Sequence, residues 1–462
     1  MKHKIVSSAD SSRLILIFAG WGMDSRPFEK LHRPGYDVAV VWDYRSFTDD
    51  WSWTDSYSEI CVIAWSFGVY ASAMLSDKLR PKVTLNIAVN GTLYPCDDSR
   101  GIPRAIFDGT LKGLCEQSLI KFYRRMCGSA DSYRSFESVM PKRDIEGLKD
   151  ELAMFSIDKI QPCKEALRFD LAIIGSRDAI IPPDNQARAW SGTENAIVDQ
   201  PHAVDFQEII DKYIVDKERV FERFTMGFKS YDQASDVQLE VVDRLEALLR
   251  SHGIWDQMSR KDVKVLEVGS GTGQLSLRLD RAVTDGYFEM WDLVGTSCFA
   301  DRTFRRVDAE TEIATLGDNT VDLIVSASTV QWFNSPLRFL EECVRVCRPG
   351  GFVAITTFVS GNLAEVSSVT GRSLPLLSAD SWKRSVPAGA ELIDCLEWDS
   401  VLTFDNAIDV FRHLKDTGVN ALGRTAGGES SLIASLRGLK QNDAGRFDVT
   451  YKPIIMIFKK NE

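Results

Sequence analysis

A chain of 462 residues with 44% hydrophobic and 26% charged residues is too long for one ordinary core and divides into two or three soluble domains. No apolar run approaches the roughly 18 residues of a membrane span, no signal-peptide pattern opens the chain, and nine scattered cysteines show no paired metal or disulfide spacing, so the cytoplasm is expected and no metal site is. A formal net charge of −11 argues against a general nucleic-acid surface and leaves room for a local basic patch facing an acidic partner.

Residues 13–19, RLILIFA, form a short apolar strand running into Gly20-Trp21-Gly22-Met23-Asp24, a loop that can turn a backbone N–H toward a site. A second strand covers 36–41. A third, 60–64, leads directly into Trp65-Ser66-Phe67-Gly68 and a helix over 69–75. Small residues two positions either side of Ser66, Ala64 and Gly68, match the crowding rule of a nucleophile elbow, with alanine in place of the first glycine. A small-residue turn in an unrelated α/β fold has the same pattern.

An elbow needs an acid and a histidine later in the chain. The strand 171–174 ends in Gly175-Ser176-Arg177-Asp178, and His202, one of five histidines, follows on a loop before a helix. His202 would take the Ser66 proton, Asp178 would hold the imidazole tautomer, and the N–H groups of Trp21 and Phe67 would receive the oxyanion. Asp97, Asp98 and Asp108 are rival acids, and His202 as a satisfied core histidine is the other reading. Residues 90–151 occupy the place of a cap, and in LIKFYRRMCG, 119–128, the cations Lys121, Arg124 and Arg125 interleave with apolar residues. Either this is a solvated helix face or a docking patch for an acidic carrier.

The stretches FAGWGMD, CVIAWSFGVY, NGTLYP, GIPRAIFDGT and KFYRRMCG resemble the pimeloyl-[acyl-carrier protein] methyl ester esterases of the BioG type, which act in biotin synthesis. The resemblance spans about 10–210 and implies that Ser66 and His202 are catalytic.

The second half opens with aromatic residues in 221–231, a lid or a helical layer, followed by a helix over 236–249. KVLEVGSGTG, 264–273, reads as a buried parallel strand and a tight turn built on Gly269, Gly271 and Gly273. Glu267 at the strand tip would repel a pyrophosphate but could orient a cationic amino-acid moiety; a dinucleotide site is the alternative on this stretch alone. Asp292 ends a second strand, 288–293, where it could meet ribose hydroxyls, and Asp308 with Ala309 falls where a third should end, facing an adenine amino group. A fourth strand, 321–326, and an Arg348-Pro349-Gly350-Gly351 turn before a fifth, 352–356, complete the pattern of a class I S-adenosylmethionine-dependent methyltransferase. No general base stands out, in keeping with an acceptor that is already an ionised carboxylate.

FKSYDQAS, VLEVGSGTG, SASTVQWF, TTFVSGNLAEV and FRHLKDTGVNAL resemble malonyl-[acyl-carrier protein] O-methyltransferase of the BioC type over 216–462. The expected architecture is therefore α/β in two domains, an α/β-hydrolase fold over 1–212 and a class I methyltransferase fold over 213–462. The joined resemblances imply that one half methylates the free carboxylate of malonyl-[acyl-carrier protein] with S-adenosyl-L-methionine. The other then hydrolyses the methyl ester of pimeloyl-[acyl-carrier protein] without a cofactor. Two alternatives stand beside this: other carboxylic acids or quinone precursors as substrates, or one half serving only to bind the carrier.

Overall fold

The computed structural model describes residues 1–47, 50–74, 79–161, 168–295, 299, 301–417 and 428–462. Leu75, at the end of the expected helix 69–75, and positions 418–422 of FRHLKDTGVNAL lie outside the described residues, as do Cys163 and Cys298. The chain falls into two compact units, Met1–Ile210 and Asp211–Glu462.

The first unit is built on a seven-stranded sheet of β1 (Lys2–Ser7), β2 (Arg13–Phe18), β3 (Asp37–Trp42), β4 (Glu59–Trp65), β5 (Val83–Val89), β6 (Leu171–Gly175) and β7 (Asn195–Val198), in the order β1-β3-β2-β4-β5-β6-β7. Only β1 runs antiparallel to its neighbour. The central strand EICVIAW is buried at every position, as a parallel strand covered on both faces must be. Among the described residues, four helices, Arg104–Lys112, Glu116–Cys127, Ala130–Glu137 and Ile145–Ala153, come between β5 and β6. The second of these contains the basic stretch and stops at Gly128, whose φ of +71° suits a residue without a Cβ.

The second unit has its own seven-stranded sheet: β8 (Lys264–Val268), β9 (Tyr287–Asp292), β10 (Thr303–Arg306), β11 (Val321–Ser326), β12 (Cys347–Phe358), β13 (Ala390–Glu397) and β16 (Pro453–Lys460), in the order β10-β9-β8-β11-β12-β16-β13. The first five are parallel, and β16 and β13 close the edge antiparallel. β14 (Ser400–Phe404) and β15 (Phe447–Tyr451) form a separate ribbon. Alternate residues along the strands feed two cores: Leu266, Ile324 and Met456 pack with the helix Pro336–Val346, while Val265, Leu323 and Ile455 pack with the helix Asp236–Ser251. The expected Arg-Pro-Gly-Gly turn is a bulge inside β12: Val321 pairs with Cys347 and Leu323 with Phe352, so the four residues between are looped out of register.

In both units the parallel strands lead into loops at their C-terminal ends, where open α/β sheets bind ligands. No helix among the described residues is long and apolar enough to cross a membrane.

Candidate functional site

At the end of β4, Ser66 adopts φ 57° and ψ −124°, a strained backbone for a residue with a side chain, and the helix Phe67–Ala73 starts at once. The bend presses the helix onto β2: a Cβ on Gly68 would lie 2.3 Å from the Phe18 carbonyl oxygen, so only glycine fits there. Ser66 Oγ is 3.0 Å from His202 Nε2, and His202 Nδ1 is 2.8 Å from Asp178 Oδ2. All three are buried.

The acid is fixed by its surroundings. Asp178 Oδ1 accepts hydrogen bonds from the N–H groups of Ile180 (2.8 Å) and Ile181 (3.0 Å), and Oδ2 accepts one from Gln186 Nε2 at 2.9 Å beside that from His202. This carboxylate therefore requires Nδ1–H on the imidazole, which leaves Nε2 as an acceptor for the Ser66 hydroxyl. The rival acids are engaged elsewhere or point outward: Asp97 accepts from Ser99 and Arg100 within a turn, Asp98 accepts from Arg104 N, and Asp108 is exposed.

The backbone of His202 is held from β4 and β5. Trp65 Nε1 donates to its carbonyl at 2.9 Å, and Asn90 Nδ2 donates to it at 3.0 Å, while Asn90 Oδ1 accepts from Gly175 N at 2.6 Å. Sequence reasoning assigned no role to Asn90 or Gln186. Recognising β5 as a strand would have placed Asn90 at its C-terminal end.

Trp21 and Phe67 lie with Ser66 on a cleft of about 410 Å³ whose other walls include Ile106 and Phe107 from one cap helix and Phe122 and Arg125 from the next. Among the described residues the backbone N–H of Trp21 has no acceptor. Lys121, Arg124 and Arg125 are all exposed; Arg125 borders the cleft, whereas Arg124 lies over the Tyr133 ring at 5.2 Å. The arrangement can carry out attack by a serine oxygen on a carbonyl carbon, with a base and an orienting acid in place.

In the second unit a chamber of about 840 Å³ is lined by Gly269, Gly271, Asp292, Asp308 and Ala309, facing aromatic residues that include Phe228 and Tyr231. Gly269 has φ +79°, and a Cβ there would overlap Thr329 at 1.8 Å. Gly273 does not line the chamber; its N–H closes the turn on Ser270 O at 2.9 Å. Asp292 accepts from Gly271 N and Val294 N, both at 2.7 Å, and so shapes the loop as well as facing the chamber. Burial raises its carboxyl above the usual range, with these backbone donors opposing.

Glu267, like Gly273, is not among the residues that line the chamber; it sits 1% exposed near the end of β8, and its Oε2 has no hydrogen-bond partner. Burial pushes its carboxyl up to about 8, the Ser276 hydroxyl opposing and Asp292 adding to the rise. A buried carboxylate oxygen left unsatisfied is costly to the fold and is the complement of a cationic ligand group.

Asp308 is not alone. Lys217 Nζ lies 3.2 Å from Asp308 Oδ1 and 2.8 Å from Glu310 Oε2, 3% exposed and 4.8 Å above the Phe333 ring centre. Glu310 in turn accepts from Asn334 N and Ser335 N. Lys217 was invisible in the sequence, since a lysine beside Glu218 and Arg219 carries no local signal. A glycine loop, two acids and an orphaned carboxylate suit an adenosyl group with a cationic amino-acid tail. Among the described residues no cluster of potential metal ligands occurs.

Residues 1–206 match the family described as pimeloyl-ACP methyl esterase BioG, and residues 266–355 match a methyltransferase domain family. A malonyl-[acyl-carrier protein] O-methyltransferase from Bacteroides fragilis (strain 638R) is 33% identical over 460 residues, covering 96% of this chain and 92% of its own. One of the same name from Haemophilus influenzae is 30% identical over 252 residues, 53% of this chain and 94% of its own. Among solved structures, BioG from Haemophilus influenzae is 34% identical with a TM-score of 0.40, covering 44% of this chain and 94% of its own.

Proposed function

The chain belongs to the malonyl-[acyl-carrier protein] O-methyltransferase family, and from that premise we propose that its two units perform opposed reactions on one acyl-carrier protein in biotin synthesis. Residues 213–462 form the S-adenosyl-L-methionine-dependent methyltransferase and 1–212 the esterase, with a cap over about 90–151. The observation that carries the reading is the Ser66–His202–Asp178 hydrogen-bond chain, present in a protein whose likeness to a malonyl-[acyl-carrier protein] O-methyltransferase extends over both units.

In the methyltransferase unit, bound S-adenosyl-L-methionine supplies an electrophilic methyl group. Glu267 holds the ammonium of the amino-acid tail, Asp292 the ribose, and Asp308 with Ala309 the adenine; Gly269 and Gly271 let the backbone approach, and Gly273 closes the turn behind them. The aromatic wall excludes water from the acceptor, the malonyl carboxylate, which needs no base. Masking that charge lets the acyl chain enter apolar elongation sites where a lone carboxylate would be costly.

In the esterase unit, Ser66 Oγ attacks the ester carbonyl carbon of methyl-pimeloyl-[acyl-carrier protein] as His202 Nε2 takes its proton. The carbonyl electron pair moves to the oxygen, which Trp21 N–H and Phe67 N–H stabilise. Collapse of the intermediate expels methanol, protonated by His202, and water activated by the same imidazole releases the acid. The carrier is acidic in its docking chemistry and meets Lys121, Arg124 and Arg125 on the exposed face of their helix, of which Arg125 borders the cleft. The seven described cysteines, all free, are in keeping with a cytoplasmic enzyme.

Mass spectrometry of malonyl- and methyl-pimeloyl-[acyl-carrier protein] after incubation with the full chain, with and without S-adenosyl-L-methionine, tests the reading. One methyl group gained by the first only when the cofactor is present, and one lost by the second regardless, is expected. The methyl ester of malonyl-[acyl-carrier protein] should resist hydrolysis. No change in either carrier would overturn the assignment of substrates.

A further inference from the structure

The loop 20–24, which places Trp21 on the lining of the Ser66 cleft, is held locally by a 3.3 Å contact from Met23 N to Gly20 O and by Asp24, whose carboxylate accepts from Arg26 N and Nε at 3.0 Å each. The rest of its support comes from the cap. Trp21 Nε1 donates to Leu148 O at 2.9 Å, Tyr123 OH donates to Gly22 O at 3.1 Å, Arg143 Nη1 donates to Met23 O at 3.0 Å, and Lys142 N donates to Asp24 Oδ2 at 3.0 Å. Glu151 Oε1 accepts from Tyr44 N at 2.9 Å, Oε2 makes no hydrogen bond, and the Gly22 amide lowers the carboxyl against the effect of burial. Glu151 is fully buried, and the charge facing its Oε2 is Arg143 Nη2 at 3.1 Å, itself only 8% exposed and 3.4 Å from Asp43 Oδ1.

A buried carboxylate and a buried guanidinium are expensive to desolvate, and helix packing alone does not require them. What these two do that apolar residues could not is hold the loop through polar groups: Arg143 bonds the Met23 carbonyl, and Glu151 pairs with Arg143 beside the Gly22 amide. Gly22 has φ +82°, a conformation that needs holding if the preceding amide is to keep its aim.

We infer that Arg143 and Glu151 are positioning residues for the oxyanion site: the cap acts as a clamp that fixes Trp21 N–H, in addition to covering the substrate. This rests on the proposed role of that N–H. It follows that even an ester too short to use the cap cleft depends on the pair. Burial raises the Glu151 carboxyl while Arg143 opposes, so the two charges stand or fall together.

Arg143→Met alone leaves a lone buried carboxylate and invites unfolding. The informative protein is the full chain with Arg143→Met and Glu151→Gln together, which keeps one amide oxygen to accept from Tyr44 N, removes the grip on Met23, and leaves Asp43 paired to Arg45 and Lys2. Two readouts separate positioning from packing. The first is kcat and KM on p-nitrophenyl acetate. The second is the ratio of inhibition constants for an aliphatic methyl ketone and its trifluoromethyl counterpart, because only the latter forms a stable adduct in which Ser66 Oγ bonds the carbonyl carbon and the oxygen becomes an oxyanion.

With unchanged methyltransferase activity and circular dichroism as the check on folding, kcat is expected to fall about 10-fold or more with KM within 2-fold, and the inhibitor ratio to fall by a similar factor. A variant that keeps both kcat and the ratio within 2-fold of the parent overturns the clamp. A parent chain that does not prefer the trifluoromethyl ketone would instead refute the oxyanion role of the loop itself, so the two failures are distinguishable.

Discussion

The two sites of this chain treat buried charge in opposite ways. In the first unit every polar atom of the Ser66–His202–Asp178 chain has a partner within the protein: Asp178 alone accepts from Ile180, Ile181, Gln186 and His202. In the second, Glu267 is as deeply buried as Asp178, yet one of its oxygens has no partner and its carboxyl is pushed up to about 8. A site built to react repeatedly with esters keeps its polar groups satisfied between turnovers, so no reorganisation delays the attack. A site built to capture a cationic ligand leaves a carboxylate unsatisfied, so that binding repairs a defect of the empty fold.

The sharpest way to break this contrast is at the satisfied site. Ser66→Ala should lower hydrolysis of methyl-pimeloyl-[acyl-carrier protein] by about 10^4-fold or more, as removal of a serine nucleophile does elsewhere. Methylation of malonyl-[acyl-carrier protein] should stay within 2-fold and melting should be unchanged, because the hydroxyl fills no structural need. Both rates can be read by mass spectrometry on one sample. Persistent hydrolysis would mean that the chain of hydrogen bonds is a structural device and that the esterase chemistry lies elsewhere.

Glu267→Gln tests the unsatisfied site. A carboxyl whose folded pKa lies above its unfolded value of 4.5 stabilises most below that value, and its contribution is lost as pH rises through about 8. The cofactor-free wild-type unit should therefore weaken across this window relative to the variant, by at most about 1.4 kcal/mol per pH unit. Calorimetry at pH 5, 7 and 9 should find the variant's melting advantage smallest at pH 5 and largest at pH 9. Binding should move the other way, with S-adenosyl-L-methionine affinity falling about 100-fold. Uptake of the cation by the wild type near pH 7 should release close to one proton, measurable by titration calorimetry in buffers of different ionisation enthalpy. A variant less stable at pH 9 than the wild type would show that Glu267 is satisfied after all.

How far these sites were legible in the sequence follows from the same difference. Ser66 and the glycine loop stood out because close backbone approach forbids all but small neighbours, as the 2.3 Å from a Gly68 Cβ to Phe18 O shows. Strands buried on both faces stood out as apolar runs, unbroken after the first residue in β2 and β4 and interrupted by Glu267 in β8 and Asp322 in β11. β5 was hidden by polar residues inside it: Asn86 is 1% exposed, and its side chain donates to Arg168 O, a partner 82 residues away. β7 is four residues long and leaves Ile197 69% exposed, so it has no core pattern, and β13 is at most half-buried along its length. The choice of Asp178 over Asp97 depends on turn geometry, and Lys217 depends on Asp308 and Glu310, more than 90 residues on; neither is a property of a local window.

The smallest expected effect lies on the rim, where charge is neither buried nor unsatisfied. Lys121, Arg124 and Arg125 project from one helix face into solvent, so each contributes little in saline buffer, about 1 kcal/mol or less, and acts over a Debye length of about 8 Å. Replacing all three by alanine should lower kcat/KM for the carrier-bound methyl ester about 5- to 20-fold at low salt, chiefly through slower association, with the deficit shrinking as salt is raised. Hydrolysis of p-nitrophenyl acetate should not change. Arg125 separates two roles within this prediction because it alone of the three borders the cleft. If Arg125→Ala by itself impairs hydrolysis of carrier-free pimelate methyl esters, and salt does not alter the loss, then its guanidinium acts on the acyl chain inside the cleft and the docking surface reduces to Lys121 and Arg124.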